Sequence, residues 1–202
     1  MHLSLFYSKI GQAAARRLTI VALAVAAGLA AWVPAQAADP AIVFMDRVAK
    51  EAIAASRTRS PSALQGVIAR YADVPGIGLY ALGEYRSKLE PGDREAYFSG
   101  MVRFMGRYAA TEAPKYPVLR VTFNPEVRQA RSGLTVDSTV VMQDGTNYEV
   151  SWLLTKVGTS YRIRDAQVLS FWMTSFMKKL FEDYIAQNNG LVKPLVLVLQ
   201  RH

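Results

Sequence analysis

The hydrophobic pattern of this chain changes its period at Pro117. Before that residue, apolar side chains recur at steps of three and four, which is typical of amphipathic helices, whereas after it they alternate, as in strands with one buried face. The alternating segments are Val118–Phe123, Leu134–Met142, Tyr148–Lys156 and Tyr161–Val168. Asp144-Gly145 indicates a hairpin, because this dipeptide readily supplies the positive φ angles of a tight turn. The pattern therefore predicts an α+β fold in which N-terminal helices precede a four-stranded antiparallel sheet over residues 117–168.

The helices are predicted from their end signals as well as from their periodicity. Asp39-Pro40, Ser60-Pro61 and Pro91 mark helix starts, since proline favours the first helical position. Within residues 38–112 we expect four helices, at about 40–57, 61–74, 77–88 and 91–110. Residues 169–200 are expected to form a long apolar helix to about Gln187 and one or two further helical turns after Gly190.

The second and third predicted strands each have one apolar face. Residues of one parity should share a face, because successive side chains in a strand point to opposite sides. The apolar set is Leu134, Val136, Val140, Met142, Tyr148, Val150, Trp152 and Leu154. The opposite parity is more polar, so we expect the apolar face to lie against the helices and the other to lie in water.

Residues 1–37 have the composition of an export signal. Lys9, Arg16 and Arg17 precede the apolar run Leu18–Val33, and Ala35-Gln36-Ala37 places small residues where a signal peptidase acts. We expect cleavage after Ala37 and export by the general secretory route, which leaves a domain of residues 38–202 in a periplasm. A retained anchor is the alternative, although the run is shorter than the roughly 20 residues that span a bilayer. Attachment of a lipid at the cleavage point is excluded, because the chain has no cysteine.

Few residues in the chain suit catalysis. The histidines are His2 and His202, and cysteine is absent, so Ser-His and Cys-His pairs and histidine-rich metal sites lack their parts. Four carboxylates are candidates for acid–base chemistry but show no suggestive spacing: Glu84, Asp137, Glu149 and Asp165. We therefore expect no enzymatic activity, no cofactor and no metal. A pocket enzyme that uses Asp165 as a general base is an alternative.

The positive charge of the chain suggests partners at a membrane. Loss of the three basic residues of the export signal lowers the formal net charge from +8 to +5. An exported protein with this excess meets lipid head groups and partner proteins, so we expect no nucleic-acid partner. Candidates for a basic docking face are Arg57, Arg59, Arg70, Arg86 and Lys88.

Several segments resemble the MlaC or toluene-tolerance family of periplasmic phospholipid-binding proteins. Ala81-Leu82-Gly83-Glu84-Tyr85 is similar to that family's Leu-Gly-x-Tyr helix, and the segment from Pro91 through Arg94 to Phe98 is similar to its Pro-x-x-Arg-x-x-Phe helix start. Further residues fall at similar spacing towards the end of the chain: Tyr161, Asp165, Phe181, Gly190 and Leu199. The resemblance extends over essentially all of residues 38–202.

The resemblance implies a periplasmic lipid carrier with an apolar cavity between the sheet and the helices. Such a carrier would shield acyl chains or a polycyclic lipid during transfer between membranes or membrane complexes. The implied partners are a phospholipid or related lipid and lipid-transfer complexes of the inner and outer membranes, with the carrier itself a monomer. The residues expected to line the cavity are Tyr80, Phe98, Met101, Met105, Val140, Met142, Trp152, Leu154, Trp172 and Phe176.

Two departures from the family pattern bear on the ligand. Ser170-Phe171-Trp172 stands where the family commonly has Gly-Val-Ser, so we expect aromatic side chains to narrow or reshape the cavity. Some relatives are linked to hopanoid production, and a flat triterpenoid would suit an aromatic wall. Glu90 replaces the serine or threonine usual before the proline, a weaker helix cap. The alternative to a carrier is a periplasmic adaptor whose apolar faces form a filled core.

Overall fold

Six α-helices and five strands follow one another in the computed structural model, which describes residues 38–201. The predicted export signal, residues 1–37, lies outside this range. The helices are α1 (Pro40–Arg57), α2 (Pro61–Tyr71), α3 (Val74–Ala81), α4 (Arg94–Glu112), α5 (Met173–Gln187) and α6 (Lys193–Gln200). Short 3₁₀ segments at Gly83–Lys88, Pro91–Asp93 and Ala113–Lys115 connect them. No helix in the described part of the chain is both long and apolar enough to cross a bilayer.

Side-chain caps fix the starts of the first three helices. The Asp39 carboxylate accepts from the Ala41 backbone N–H at 2.7 Å, and Ser60 caps α2 in the same way through Ala63. Asp73 caps α3 by accepting from the Gly76 N–H at 3.1 Å. Because these caps satisfy backbone donors that have no partner inside the helix, they set where each helix begins.

The third predicted helix is shorter than expected. The pattern predicted one helix over residues 77–88, whereas α3 ends at Ala81 and a 3₁₀ segment follows from Gly83. Gly83 has a φ angle of +53°, which ends the α-helical hydrogen-bonding pattern at little steric cost because glycine has no Cβ.

The sheet contains the four predicted strands and one more. Its order is β1 (Val118–Ala130), β2 (Gly133–Met142), β3 (Asn147–Val157), β4 (Ser160–Val168) and β5 (Phe171–Trp172), with every neighbouring pair antiparallel. The prediction of four strands was therefore wrong by one. Leu169 and Ser170 form the turn before β5 with φ angles of +49° and +68°. Neither residue is a usual choice for positive φ, so the sequence carries no turn signal there.

Strand β1 is also longer than its pattern predicted, since the alternation stops at Phe123 while pairing continues to Ala130. The register between β1 and β2 shifts between Phe123 and Val127, where Pro125 interrupts the strand. A proline in a strand is tolerated at an edge or a bulge, and β1 is an edge strand. After the bulge, Val127 pairs with Val136 and packs against the same hydrophobic cluster as Phe123.

The predicted faces of β2 and β3 are confirmed by the register. Leu134 pairs with Leu154, Val136 with Trp152, and Val140 with Tyr148. Along β2 the buried positions are Val136, Ser138 and Val140. On the other face, the Asp137 carboxylate accepts hydrogen bonds from the side chains of Arg128 and Ser151. One face of the sheet is therefore covered and the other is polar.

The described residues form two hydrophobic cores. The sheet core joins α1 and α2 to the covered face of the sheet, and it consists of Ala41, Ile42, Phe44, Met45, Val48, Tyr71, Val136 and Leu154. The helical core joins α3, α4, α5 and α6, and it consists of Val74, Ile77, Ala81, Leu82, Leu89, Tyr97, Met101, Phe181, Ile185, Val192, Leu195, Val196 and Leu199. Tyr97 in the helical core has no exposed surface and donates its hydroxyl to the Gly78 carbonyl at 2.8 Å. Burial strongly raises the pKa of this phenol.

Substituting Gly133 tests how closely the strands approach at the start of β2. Gly133 has a φ angle of +149°, and a Cβ there would lie 1.9 Å from the Leu154 carbonyl oxygen. We expect Gly133→Ala to lower the free energy of unfolding by about 2 kcal/mol or more beyond the effect of Gly145→Ala. Gly145 is the matched control, because its φ is +87° but nothing lies near its Cβ position. Equal effects of the two substitutions in urea denaturation would contradict the steric explanation.

Candidate functional site

An apolar pocket lies between α1 and the covered face of the sheet. Its volume is about 240 Å³. The lining comes from α1, α2, the segment before β1 and three strands: Met45, Val48, Ala49, Ala52, Ile53, Ser56, Leu64, Ala113, Tyr116, Val118, Val121, Phe123, Val140 and Trp152. None of these side chains is charged, so the pocket suits hydrocarbon.

Small side chains on α1 leave the space that forms the pocket. Near its N-terminus, α1 seals against the sheet with the large buried side chains of Phe44 and Met45. About one and two turns after Met45 the same face carries Ala49 and Ala52, whose small side chains leave a gap between helix and strands. Because an α-helix repeats every 3.6 residues, these alanines lie on the same face of α1 as Met45, and all three line the pocket. Large side chains thus fill the space between α1 and the sheet near the N-terminus of α1, and small side chains leave it open towards the C-terminus.

The polar atoms around the pocket have partners within the protein. The Trp152 indole Nε1–H donates to the Ser138 hydroxyl at 2.9 Å, and Ser138 donates to the Val150 carbonyl at 3.4 Å. Among residues 38–201, no buried side-chain nitrogen or oxygen lacks a hydrogen-bond partner. An indole N–H without a partner would disfavour an apolar guest. Because the N–H of Trp152 is bonded to Ser138, the residue presents only its apolar ring to the pocket.

A polar cleft of about 240 Å³ adjoins the apolar pocket at the C-terminal end of α1. The cleft and the pocket share Ser56, Ala113 and Val118, and the rest of the cleft wall consists of Arg57, Arg59, Pro114, Pro117 and Gln143. Asp144 follows Gln143, and the backbone hydrogen bond that it accepts from Thr146 lowers the pKa of its carboxyl. The apolar pocket thus adjoins a cleft, here called its mouth, that carries two arginines.

Two of the predicted lining residues lie in this pocket, namely Val140 and Trp152. Leu154 is on the same face but is fully buried in the sheet core, two residues along the strand. Met142 ends β2 and is half-buried, outside the pocket lining. The parity of the strands therefore predicted the face on which the pocket lies. It did not predict which residues along that face line the pocket.

The predicted residues of α4 and α5 lie elsewhere. Met101 is fully buried in the helical core, and Phe98 packs against that core. Met105 and Phe176 line a second apolar groove, between α4 and α5, with a volume of about 180 Å³. This α4–α5 groove is completed by Phe104, Tyr108, Met173, Met177 and Leu180. The structure thus separates these four residues from Val140 and Trp152.

Tyr80 and Trp172 lie in a polar cleft on the opposite face of the sheet. That cleft also includes Leu153 and Asp165, which pair with each other across β3 and β4. Leu153 follows Trp152 in β3, so its side chain points to the opposite face of the sheet. Phe171 is 75% exposed and Trp172 is not part of the apolar pocket. The expectation that these aromatics narrow the cavity was therefore wrong, because β5 carries them away from it.

Sequence reasoning missed most of the α1 and β1 lining. Ala52 and Ile53 fall at helical spacing with the other apolar residues of α1, but no pattern distinguishes a helix face that fills a core from one that borders a space. Val121 and Phe123 share a face, as their alternation predicts, but nothing in the sequence indicates that this face of β1 borders a pocket. Tyr116 lies in the connection between α4 and β1, for which the sequence carries no site signal.

The four candidate carboxylates have structural partners or lie in exposed positions. Asp165 accepts from the backbone N–H groups of Ala166 (2.8 Å) and Thr174 (3.0 Å) and from the Thr174 hydroxyl. It therefore caps the start of α5, a role that uses both carboxylate oxygens. Asp137 binds Arg128, and Glu149 accepts from the Thr139 hydroxyl at 2.8 Å on the polar face. Within residues 38–201, no three acidic or histidine side chains come together as a metal site.

Two of the five candidate basic residues, Arg70 and Lys88, make contacts within the protein, and Arg86 is exposed. The Arg70 guanidinium pairs with Glu51 at 2.5 Å, and the Lys88 ammonium donates to the Gly190 carbonyl at 3.2 Å. Arg57 and Arg59, in contrast, border the mouth of the apolar pocket. The predicted docking set is thus divided between structural contacts and the pocket mouth.

Comparison with known proteins adds to this geometry. The family model described as MlaC protein matches residues 43–197. Among solved structures, the chain resembles a phospholipid-binding protein from Ralstonia solanacearum, determined in complex with a phospholipid. The two have a TM-score of 0.60 and 18% sequence identity, over 78% of this chain and 93% of that chain. At this identity, the similarity demonstrates a common fold. No curated protein matches the chain.

Proposed function

Because this chain belongs to the MlaC family, we propose that it is a lipid carrier that holds acyl chains or a related apolar lipid in the pocket between α1 and the sheet. The observation that carries the proposal is a pocket walled by uncharged side chains in the region covered by the family match. The structural relative was determined with a phospholipid, which supports a phospholipid as the guest.

The energetic reason for a carrier is the cost of exposing hydrocarbon to water. Each buried methylene contributes about 0.8 kcal/mol, so a lipid with two long chains leaves a membrane very slowly without a protein that replaces the bilayer. The apolar pocket supplies such a surface.

We propose that loading of a lipid changes the conformation around the pocket, because the pocket is smaller than a whole lipid. A cavity of about 150 Å³ holds a molecule the size of benzene, whereas pockets for drug-sized ligands occupy about 300–1,000 Å³. At about 240 Å³, the pocket takes part of one acyl chain as it stands. Loading a whole lipid therefore involves movement of α1 away from β1 and β2, and the alanines of α1 make this the less tightly packed part of the sheet core.

We further propose that the protein is exported by its N-terminal segment and acts as a monomer in the periplasm, between lipid-transfer complexes of the two membranes. The support is the sequence pattern of residues 1–37 together with the family match. The two alternatives have less support. A filled-core adaptor does not account for the pocket, and an enzyme that uses Asp165 does not account for the bonds that both its oxygens make to the start of α5.

Recovery of bound lipid is the direct test of the carrier function. We expect the full chain, expressed in a Gram-negative bacterium and purified from the periplasm without detergent, to yield lipid on extraction into organic solvent. Mass spectrometry of the extract identifies the guest, and native mass spectrometry gives the ratio of lipid to protein. Protein that is recovered free of lipid, and that also fails to take up lipid from labelled vesicles, would contradict the proposal.

A further inference from the structure

Two arginines lie where the apolar pocket meets the polar cleft. Arg57 is the last residue of α1, and Arg59 follows two positions later in the connection to α2. Both line the cleft that shares Ser56, Ala113 and Val118 with the apolar pocket. The cleft with the two arginines is therefore adjacent to the space proposed for the lipid chain.

The charges of Arg57 and Arg59 are not neutralised by a carboxylate. Other arginines form ion pairs, with Arg128 at 2.6 Å from Asp137 and Arg164 at 2.7 Å from Asp73. Arg57 and Arg59 are exposed, and neither forms an ion pair with any acidic residue within residues 38–201. Two unpaired guanidinium groups thus remain available at the mouth.

The acidic residues nearest in sequence to the cleft wall are already engaged. Glu112, next to Ala113, pairs with Lys115 at 2.8 Å. Asp144, next to Gln143, accepts a hydrogen bond from the Thr146 backbone N–H at 2.9 Å. Glu112 is thus neutralised by Lys115, whereas Asp144 keeps its negative charge next to the cleft wall. Two arginines against this one carboxylate leave the mouth with a net positive charge.

The backbone holds Arg59 in an uncommon conformation. Its φ angle is +54°, in the left-handed region that residues with a Cβ seldom adopt. Hydrogen bonds fix this turn, with the Thr58 hydroxyl donating to the Ala55 carbonyl at 2.7 Å and the Arg59 N–H to the Ser56 carbonyl at 3.1 Å. A left-handed residue commonly ends an α-helix, so this turn fixes the point at which α1 stops and Arg59 leaves the helix.

We infer that Arg57 and Arg59 form a site for the phosphate group of the lipid, and that the protein selects lipids with a phosphate in the head group over lipids with an uncharged one. The inference rests on the proposed function, since it assigns the pocket to the chains and the mouth to the head group. The planar guanidinium presents two parallel N–H donors that match two phosphate oxygens, and such charge-assisted bonds are among the strongest that a protein surface makes. A neutral polycyclic lipid would leave both arginines without a partner.

The test compares two lipids that differ only in the phosphate. Delipidated protein is titrated with phosphatidylglycerol and with diacylglycerol of the same acyl chains, and binding is followed by displacement of a fluorescent fatty acid from the pocket. We expect the double variant Arg57→Gln/Arg59→Gln to bind phosphatidylglycerol about tenfold more weakly or worse, and diacylglycerol about as well as the unmodified protein does. We also expect salt to weaken the binding of phosphatidylglycerol but not of diacylglycerol.

Arg47→Gln is the matched control, because Arg47 lies on α1, is exposed and is not part of the cleft. It should leave both affinities unchanged. Glycerol phosphate alone should bind far more weakly than the lipid; binding of similar strength would instead indicate a site for a free anion and overturn the inference.

The possible failures are distinguishable. If the double variant retains the affinity for phosphatidylglycerol, or loses affinity for both lipids equally, the phosphate site is overturned while the lipid pocket stands. The same holds if the unmodified protein binds diacylglycerol as tightly as phosphatidylglycerol. If the unmodified protein binds neither lipid, the proposed carrier function itself fails.

Discussion

Replacing Ala52 with tryptophan is expected to abolish lipid binding while leaving the protein folded. Ala52 faces the apolar pocket from α1, and the indole ring would occupy the space that an acyl chain requires. Because the pocket holds only about 240 Å³, it cannot accept both a ring of this size and a chain. We expect lipid recovered by organic extraction to fall by at least about tenfold, and the affinity measured by displacement to fall in parallel.

The matched control for this substitution is Ala54→Trp. Ala54 lies two residues further along the same helix and is exposed, so a ring there adds the same bulk outside the pocket. Its bound lipid should equal that of the unmodified protein, and the thermal unfolding of both variants should confirm that α1 is intact. Full lipid binding by Ala52→Trp would contradict the assignment of the lipid to this pocket and would favour the α4–α5 groove as the lipid site.

Truncating Phe181 is expected to have the largest effect on stability. Phe181 is 2% exposed in the helical core, and its ring meets that of Phe104 edge to face at a centroid distance of 5.6 Å. Phe181→Ala removes this contact and leaves a cavity, which typically lowers the free energy of unfolding by about 3–5 kcal/mol. For a domain of this size each kcal/mol changes the melting temperature by about 2–4 °C, so we expect a decrease of about 10 °C or more.

The control for Phe181 is Phe171→Ala, since Phe171 is 75% exposed. Its effect should stay within about 0.5 kcal/mol in urea denaturation. Under conditions where Phe181→Ala remains folded, it should still bind lipid, because Phe181 is not part of the pocket lining. Loss of lipid binding by folded Phe181→Ala would show that the helical core and the pocket are coupled.

Much of the fold could be predicted from local chemistry. The Asp39-Pro40 start of α1 and the alternation in β2 and β3 each depend on a few neighbouring residues, and the structure confirms both. Features set by contacts distant in sequence were not predicted. β5 forms because Phe171 and Trp172 pair with Val168 and Gln167, and a two-residue strand has too few positions to show a period.

The site was harder to predict than the fold for a related reason. Strand parity identified the face on which Val140 and Trp152 lie, because parity is a local property. Which helix covers that face depends on tertiary packing, and the expected helices were α4 and α5 rather than α1. The aromatic and methionine side chains of α4 are divided between the helical core, as for Met101, and the α4–α5 groove, as for Met105.

The division into a sheet core and a helical core has a consequence for how cargo is exchanged. The two cores have no residue in common, so lifting α1 from the strands disrupts the first and leaves the contacts of the second in place. If the protein carries a lipid as proposed, local opening of the sheet core would admit and release it at a free-energy cost well below that of global unfolding. On that proposal, exchange of the guest involves the sheet core, while the helical core maintains the fold.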